Sequence, residues 1–108
     1  MNKNNNKIVI FITTSSKPEA EKIAEALVKE RLSACCNIID DITSFFWWEG
    51  KLNKEGEAMI IAKSSSELFE EIVNRVKELH SYKVPEIIAL PIISGSDDYL
   101  NWIEKEVK

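Results

Sequence analysis

A long run of strand-forming residues occupies the middle of the chain, from residue 34 to residue 48. Isoleucine, threonine and aromatic residues make up just over half of it, and such residues favour strands. Glu49, Gly50 and Lys51 then supply a turn, and residues 52–63 return as a second strand. A straight strand of this length measures about 50 Å, whereas strands usually have about five or six residues. A small domain cannot cover such a hairpin, so its far end requires a partner.

Asp40 and Asp41 interrupt the first of these strands with two adjacent carboxylates. We expect a bulge or a bend there, because a bulge is the usual way in which a strand changes direction. The strand also exposes unpaired main-chain groups at a sheet edge unless another subunit pairs with it. Closed cyclic symmetry removes that hazard. We favour three subunits around a central axis, although geometry alone also allows a dimer.

A strand and a helix are predicted before the hairpin, and a second helix is predicted after it. Residues 7–13 are β-branched and almost continuously apolar, which predicts a strand in the middle of a sheet. Ser16 and Glu19 form a capping-box pattern that opens a first helix. Residues 64–67 form a second capping box, and the helix that it opens ends at His80.

The remaining segments complete a known arrangement of elements. Residues 86–93 are predicted to form a fourth strand, and Pro91 places that strand at an edge. Asp97 and Asp98 favour the first turn of a last helix. The order β-α-β-β-α-β-α predicts an α+β protein with a ferredoxin-like split β-α-β sheet, a long central hairpin and an extra C-terminal helix.

Length and charge limit the kinds of partner. The chain has 108 residues and a net charge of -4. Residues 1–6 are expected to be a flexible tail and residues 7–108 a single domain. The absence of a basic stripe argues against nucleic acid, since such binding depends on phosphate neutralisation. No apolar run reaches membrane length, so we expect no membrane partner and a cytoplasmic location. Adjacent Cys35 and Cys36 suit a reducing compartment better than a disulfide framework.

Four segments together resemble the CutA family of divalent-cation tolerance proteins. They are LSACCNII (residues 32–39), ITSFFWWEGK (42–51), LHSYKVPEIIALPI (79–92) and DYLNWI (98–103). The resemblance extends over residues 7–107, and it is specific because the segments occur in the right order and spacing. It implies an interlocked homotrimer of ferredoxin-like subunits, similar in plan to the nitrogen-regulatory signal-transduction trimers. It also implies a role in tolerance of copper and other divalent cations, with no catalytic reaction.

The sequence departs from the family pattern at three places. A cysteine proposed as a copper ligand in part of the family lies at the end of the first strand, where this chain has Ile12 and Thr13. The usual proline between the histidine and the tyrosine is Ser81, and the Pro-Gly of the long strand is replaced by Asp40 and Asp41. The missing cysteine weakens the copper interpretation most directly.

The candidate metal ligands are His80, Glu86 and Cys35, and sulfur with nitrogen favours copper or zinc. Each also has a structural interpretation: His80 as a cation at a helix C-terminus, Glu86 as a surface carboxylate and Cys35 as a small apolar residue. One subunit offers too few ligands, so we expect a weak site or one completed by a neighbour. No other cofactor is indicated. The oligomer interface is predicted to contain large aromatic anchors, namely Phe46, Trp47, Trp48 and Trp102.

Two other functions remain open at this point. One is a small-molecule sensor that uses clefts between subunits, in analogy with the signal-transduction trimers. The other is an acylphosphatase-like enzyme, which requires an arginine and an asparagine near a phosphate loop. Arg31 and Arg75 both lie in helical patterns instead, and the chain has no glycine-rich phosphate loop or nucleophile motif. We therefore expect a protein that is not an enzyme.

Overall fold

The computed structural model describes residues 3–108. Its main elements are β1 (Lys7–Thr14), α1 (Lys17–Lys29), β2 (Cys35–Trp48), β3 (Lys51–Ser65), α2 (Phe69–Leu79), β4 (Ile87–Pro91) and α3 (Asp97–Glu106). Short 3-10 turns lie at Lys3–Asn6 and Ser66–Leu68. The α+β class and the order of elements are confirmed.

The four strands form one antiparallel sheet in the order β2-β3-β1-β4. β1 therefore lies in the middle, as its apolar run predicts. β4 pairs only with β1, with Pro91 opposite Ile8. A proline lacks a main-chain donor, so the edge position costs no ladder hydrogen bond. The ferredoxin-like arrangement is confirmed.

The core lies between the sheet and helices α1 and α2. Alternate residues of β1 and β3 face these helices, because successive side chains of a strand point to opposite faces. The fully buried side chains of this layer include Ile10, Ile12, Ile60, Ile23, Leu27, Ile72 and Val76. The interleaved residues of the strands face the other side of the sheet, where α1 and α2 give no cover.

The β2–β3 hairpin makes the molecule elongated, with extents of 47 × 25 × 23 Å. Its register shifts between Ile39 and Ile42, so the predicted irregularity at the two aspartates is confirmed. Asp41 has φ 61°, and its N–H donates to Asp40 Oδ1 at 2.7 Å. At the tip, Glu49 (φ 52°) and Gly50 (φ 77°) form the left-handed pair that hairpin turns of this length favour.

The predicted second capping box is wrong. Ser65 precedes a 3-10 turn and its side chain makes no cap bond; among the described residues its buried Oγ has no hydrogen-bond partner. Glu67 instead accepts a hydrogen bond from Asn6 Nδ2 at 2.6 Å, which occupies the carboxylate that the box needs. Residues 3–6, predicted to be part of a flexible tail, form a 3-10 turn, while Met1 and Asn2 lie outside the described residues.

Helix α3 lies against β1 and β3. The side chain of Ser96 caps it by accepting from the Tyr99 N–H at 3.3 Å. Lys7, whose side chain is fully buried, forms an ion pair with Glu104 of this helix. Within residues 3–108, no helix is both long enough and apolar enough to cross a membrane.

Helix α1 ends in a left-handed residue that is not glycine. The Leu32 N–H donates to Leu27 O (2.9 Å) and the Arg31 N–H to Val28 O (3.1 Å), a Schellman motif with Arg31 at φ 62°. Most helices place glycine there, since a Cβ is strained in this conformation. Arg31 also pairs with Glu106 of α3 at 2.8 Å.

Arg31→Gly is therefore expected to be more stable than Arg31→Ala by about 1 kcal/mol. Both variants lose the pair with Glu106, so the alanine variant serves as the matched control and isolates the strain. Urea unfolding at one fixed protomer concentration measures the difference. Equal midpoints for the two variants would show that the end of α1 stores no such strain.

Candidate functional site

His80 is the only histidine in the chain and ends α2. Its side chain is fully buried. Nδ1 accepts a hydrogen bond from the Tyr82 N–H at 3.0 Å, and Nε2 lies 2.7 Å from Thr13 O. Because an amide N–H can only donate and a carbonyl can only accept, Nδ1 must be the acceptor and Nε2 must carry the proton. The imidazole therefore ties the end of α2 to the end of β1.

Glu19 connects the start of α1 to the segment after α2. Its Oε1 accepts from the Ser15 N–H and hydroxyl, both at 2.9 Å, and its Oε2 accepts from the Ser81 N–H at 2.7 Å. Burial opposes ionisation, but these hydrogen bonds outweigh it and lower the pKa of Glu19 to about 2. Oε2 also lies 3.9 Å from His80 Nδ1. The capping-box pattern pointed to this carboxylate, although not to its contact with Ser81.

Tyr82 and Glu57 form the third contact of this region. The Tyr82 hydroxyl donates to Glu57 Oε2 at 2.6 Å. Burial and the neighbouring carboxylate both raise the pKa of Tyr82. Glu57 is only 6% exposed on β3. Sequence reasoning did not single it out, and the one available signal is a glutamate next to the apolar run of residues 58–62.

A cleft of about 900 Å³ lies beside Tyr82, between the outer half of the hairpin and the segment that follows α2. The strands contribute aromatic and polar side chains, and the segment of residues 81–86 closes the opposite side. The lining residues are Thr13, Ser44, Phe45, Phe46, Trp47, Trp48, Asn53, Glu55, Glu57, Ser81, Tyr82, Lys83, Val84, Pro85 and Glu86.

The three predicted metal ligands occupy different surroundings. His80 uses both ring nitrogens in the hydrogen bonds above, and Glu86 is an exposed residue of the cleft. Cys35 lies at the start of β2, with its Sγ 4.0 Å from Lys63 Nζ. Across residues 3–108 no group of three or more His, Cys, Asp or Glu side chains is placed to hold a metal ion. A single chain therefore does not gather this ligand set, and the metal site stays a prediction.

The two cysteines differ in the way that strand alternation predicts. Cys36 packs against the core, and burial raises the pKa of its thiol to about 11. Cys35, its neighbour, points to the opposite face of the sheet. Both thiols are free. They cannot jointly bind one ion within a regular strand.

The sheet face opposite α1 and α2 is apolar and only partly covered; we term it the open face. Its apolar residues are Val9, Phe11, Ile39, Met59, Ile61, Ile88 and Leu90. Ile88 and Leu90 are each about half exposed. Among the predicted interface aromatics, Trp47 is 73% exposed, Trp48 44% and Trp102 40%, while Phe46 is half-buried in the cleft.

These features define a small ferredoxin-like α+β protein with a partly exposed apolar sheet face, an extended hairpin and a cleft beside the outer half of that hairpin. The family model for the CutA1 divalent ion tolerance protein matches residues 8–106. The chain belongs to this family.

Individual relatives agree with this assignment. The divalent-cation tolerance protein CutA of Thermus thermophilus is 43% identical over 90% of this chain and 94% of its own length. The chloroplastic protein CutA of Arabidopsis thaliana is 40% identical over 94% of this chain, which spans 56% of that relative. The crystal structure of CutA1 from Oryza sativa superposes with a TM-score of 0.93 at 37% identity, covering 95% of this chain and 94% of that one.

Proposed function

We propose that this chain acts in the tolerance of divalent metal ions, copper among them, as a cytoplasmic homotrimer without catalytic activity. The observation that carries the proposal is the family match over residues 8–106, nearly the whole chain. The relative from Thermus thermophilus has divalent-cation tolerance in its name. The free thiols of Cys35 and Cys36 support a reducing compartment such as the cytoplasm.

The trimer is supported by surfaces that one chain leaves uncovered. The open face is apolar, and small sheets bury such a face against another layer. β2 and β4 both lie at sheet edges, where unpaired main-chain groups invite pairing with another chain. Trp47 and Trp102 are large exposed aromatics of the kind that anchor interfaces. A closed ring of sister chains covers all three features.

The metal role is proposed for a site that more than one chain completes, with His80, Glu86 and Cys35 as its candidate ligands. Thiolate and imidazole ligands suit copper. Because Nδ1 of His80 accepts from the Tyr82 N–H, copper has to displace that hydrogen bond in order to bind there. We therefore expect weak binding.

Calorimetric titration of the native oligomer with Cu²⁺ tests this proposal. Glu86→Gln and Cys35→Ser are expected to weaken binding about tenfold each, as is His80→Ala. Glu86 is exposed, so its variant keeps the fold even if loss of the buried imidazole disturbs it. Glu70→Gln, an exposed carboxylate on α2, is the matched control. Equal copper binding by the native chain and by all three variants would remove the proposed site.

The cleft favours a second candidate function, small-molecule sensing. Its volume of about 900 Å³ falls in the range of known ligand sites. Its walls combine aromatic surface with a few placed polar groups, which is the usual composition of such sites. A sensor of this kind needs a ligand that is recognised by the chemistry of the lining.

A further inference from the structure

We infer that the cleft between the hairpin and residues 81–86 binds a small organic cation, an amine attached to a flat apolar group. This ligand class would be the one that the proposed sensor detects, so its biological role rests on the sensing function. Binding itself depends only on the residues of the cleft.

One wall of the cleft is an aromatic surface. Phe46 and Trp48 are alternate residues of β2, so both side chains lie on the same face of the hairpin. Tyr82 lies across from them on the segment after α2. Aromatic faces attract cations through the ring quadrupole, and tryptophan does so most strongly. A flat apolar group attached to the cation gains stacking area on the same surface.

Two acidic side chains of the cleft lie on the same face of the hairpin as Phe46 and Trp48. Glu55 and Glu57 alternate along β3 next to the aromatic wall. Glu57 is only 6% exposed, and the Tyr82 hydroxyl donates a hydrogen bond to its Oε2. Among the described residues no donor bonds its second oxygen, Oε1. Oε1 is therefore open to an incoming donor, and an ammonium group that entered the cleft would form a charge-assisted hydrogen bond with this carboxylate, which is stronger than a hydrogen bond between neutral groups.

The charge balance of the lining favours a cation over an anion. The lining contains Glu55, Glu57 and Glu86 against a single ammonium, that of Lys83. These carboxylates are spread along the cleft, and within residues 3–108 they do not gather into a group that could hold a metal ion. A bare divalent ion therefore lacks a ligand shell here, whereas an extended organic cation contacts an aromatic wall and a carboxylate at once.

Three compounds of one shape provide the test: phenethylammonium, neutral 2-phenylethanol and anionic 3-phenylpropionate. Each is titrated into the native full-length oligomer at pH 7, and NMR follows the indole N–H of Trp48 and the main-chain amide of Glu57. We expect a saturable shift with phenethylammonium, about tenfold weaker binding of the alcohol and no binding of the acid. Equal binding of all three would overturn the inferred charge preference while leaving a ligand-binding cleft and the sensing function in place.

Charge-neutral variants locate the interaction. Glu57→Gln keeps an acceptor for the Tyr82 hydroxyl, and Glu55→Gln changes an exposed residue that the fold does not require. Each is expected to weaken phenethylammonium binding about tenfold. Glu49→Gln, at the hairpin turn outside the lining, is the matched control and should bind like the native chain. Unchanged binding in both cleft variants would overturn the inference. So would a native oligomer that binds none of the compounds, because a sister chain would then fill the cleft.

Discussion

Ile88→Glu is expected to convert the oligomer into monomers at micromolar concentration. Ile88 lies opposite Phe11 in the sheet register, on the part of the open face that the edge strand β4 contributes. If sister chains cover this face, the new carboxylate is buried in an apolar contact without a partner. Burying an unpaired charge costs several kcal/mol for each subunit, which is a large fraction of the stability of such an assembly. Sedimentation equilibrium measures the mass directly.

Val28→Glu provides the control for this substitution. Val28 is an exposed apolar residue of α1, on the opposite layer of the molecule, and it gains the same charge. The Val28→Glu protein should have the same mass in solution as the native oligomer. A trimeric Ile88→Glu protein would show that the open face is not the contact between subunits. A native chain that is monomeric at every concentration would remove the trimer altogether.

Glu19→Gln is expected to lower the free energy of unfolding by about 2 kcal/mol at pH 7, since charge-assisted hydrogen bonds contribute about 1.5–3 kcal/mol. The folded pKa of Glu19, about 2, lies below the ordinary value of 4.5 for a glutamate carboxyl. The ionised form is thus favoured by folding, and its stabilisation is complete above pH 4.5. As the pH falls from about 5 towards 2, protonation removes that stabilisation.

Urea unfolding of the native chain and of Glu19→Gln across this pH range tests the sign as well as the size. The difference between the two proteins should be largest near neutral pH, should shrink as the pH falls towards 2, and should vanish only below that pH. Glu21→Gln, an exposed carboxylate of the same helix, should unfold like the native chain at each pH. If the difference in the free energy of unfolding stayed constant from pH 7 to pH 2, Glu19 would stabilise the fold through the packing of its side chain and not through its charge.

Local patterns accounted for most of the secondary structure. The apolar run of β1, the cap at Ser16 and the bulge at Asp40 and Asp41 all follow from a few neighbouring residues. Strand alternation and cap chemistry act over short stretches of chain, so a single sequence carries them. The second capping box failed because Glu67 is taken by Asn6, a residue 61 positions away.

The site was much less accessible from sequence. His80 and Glu86 were singled out by residue type, yet nothing local indicated that both ring nitrogens of His80 bond to main chain. Glu57 was overlooked, because its partner Tyr82 lies 25 residues away and the cleft between them exists only in the folded chain. The capping pattern identified Glu19 as a helix-start residue but gave no sign of its bond to Ser81.

Residue order thus established the elements, the family resemblance and an excess of apolar strand surface. Folding established which polar groups meet: Glu19 reaches Ser81 across 62 residues, and Tyr82 reaches Glu57 from the far side of a cleft. The difference has a simple physical origin. Periodicity and capping are properties of consecutive residues, whereas a hydrogen bond between distant side chains depends on the angles and distances at which whole elements pack.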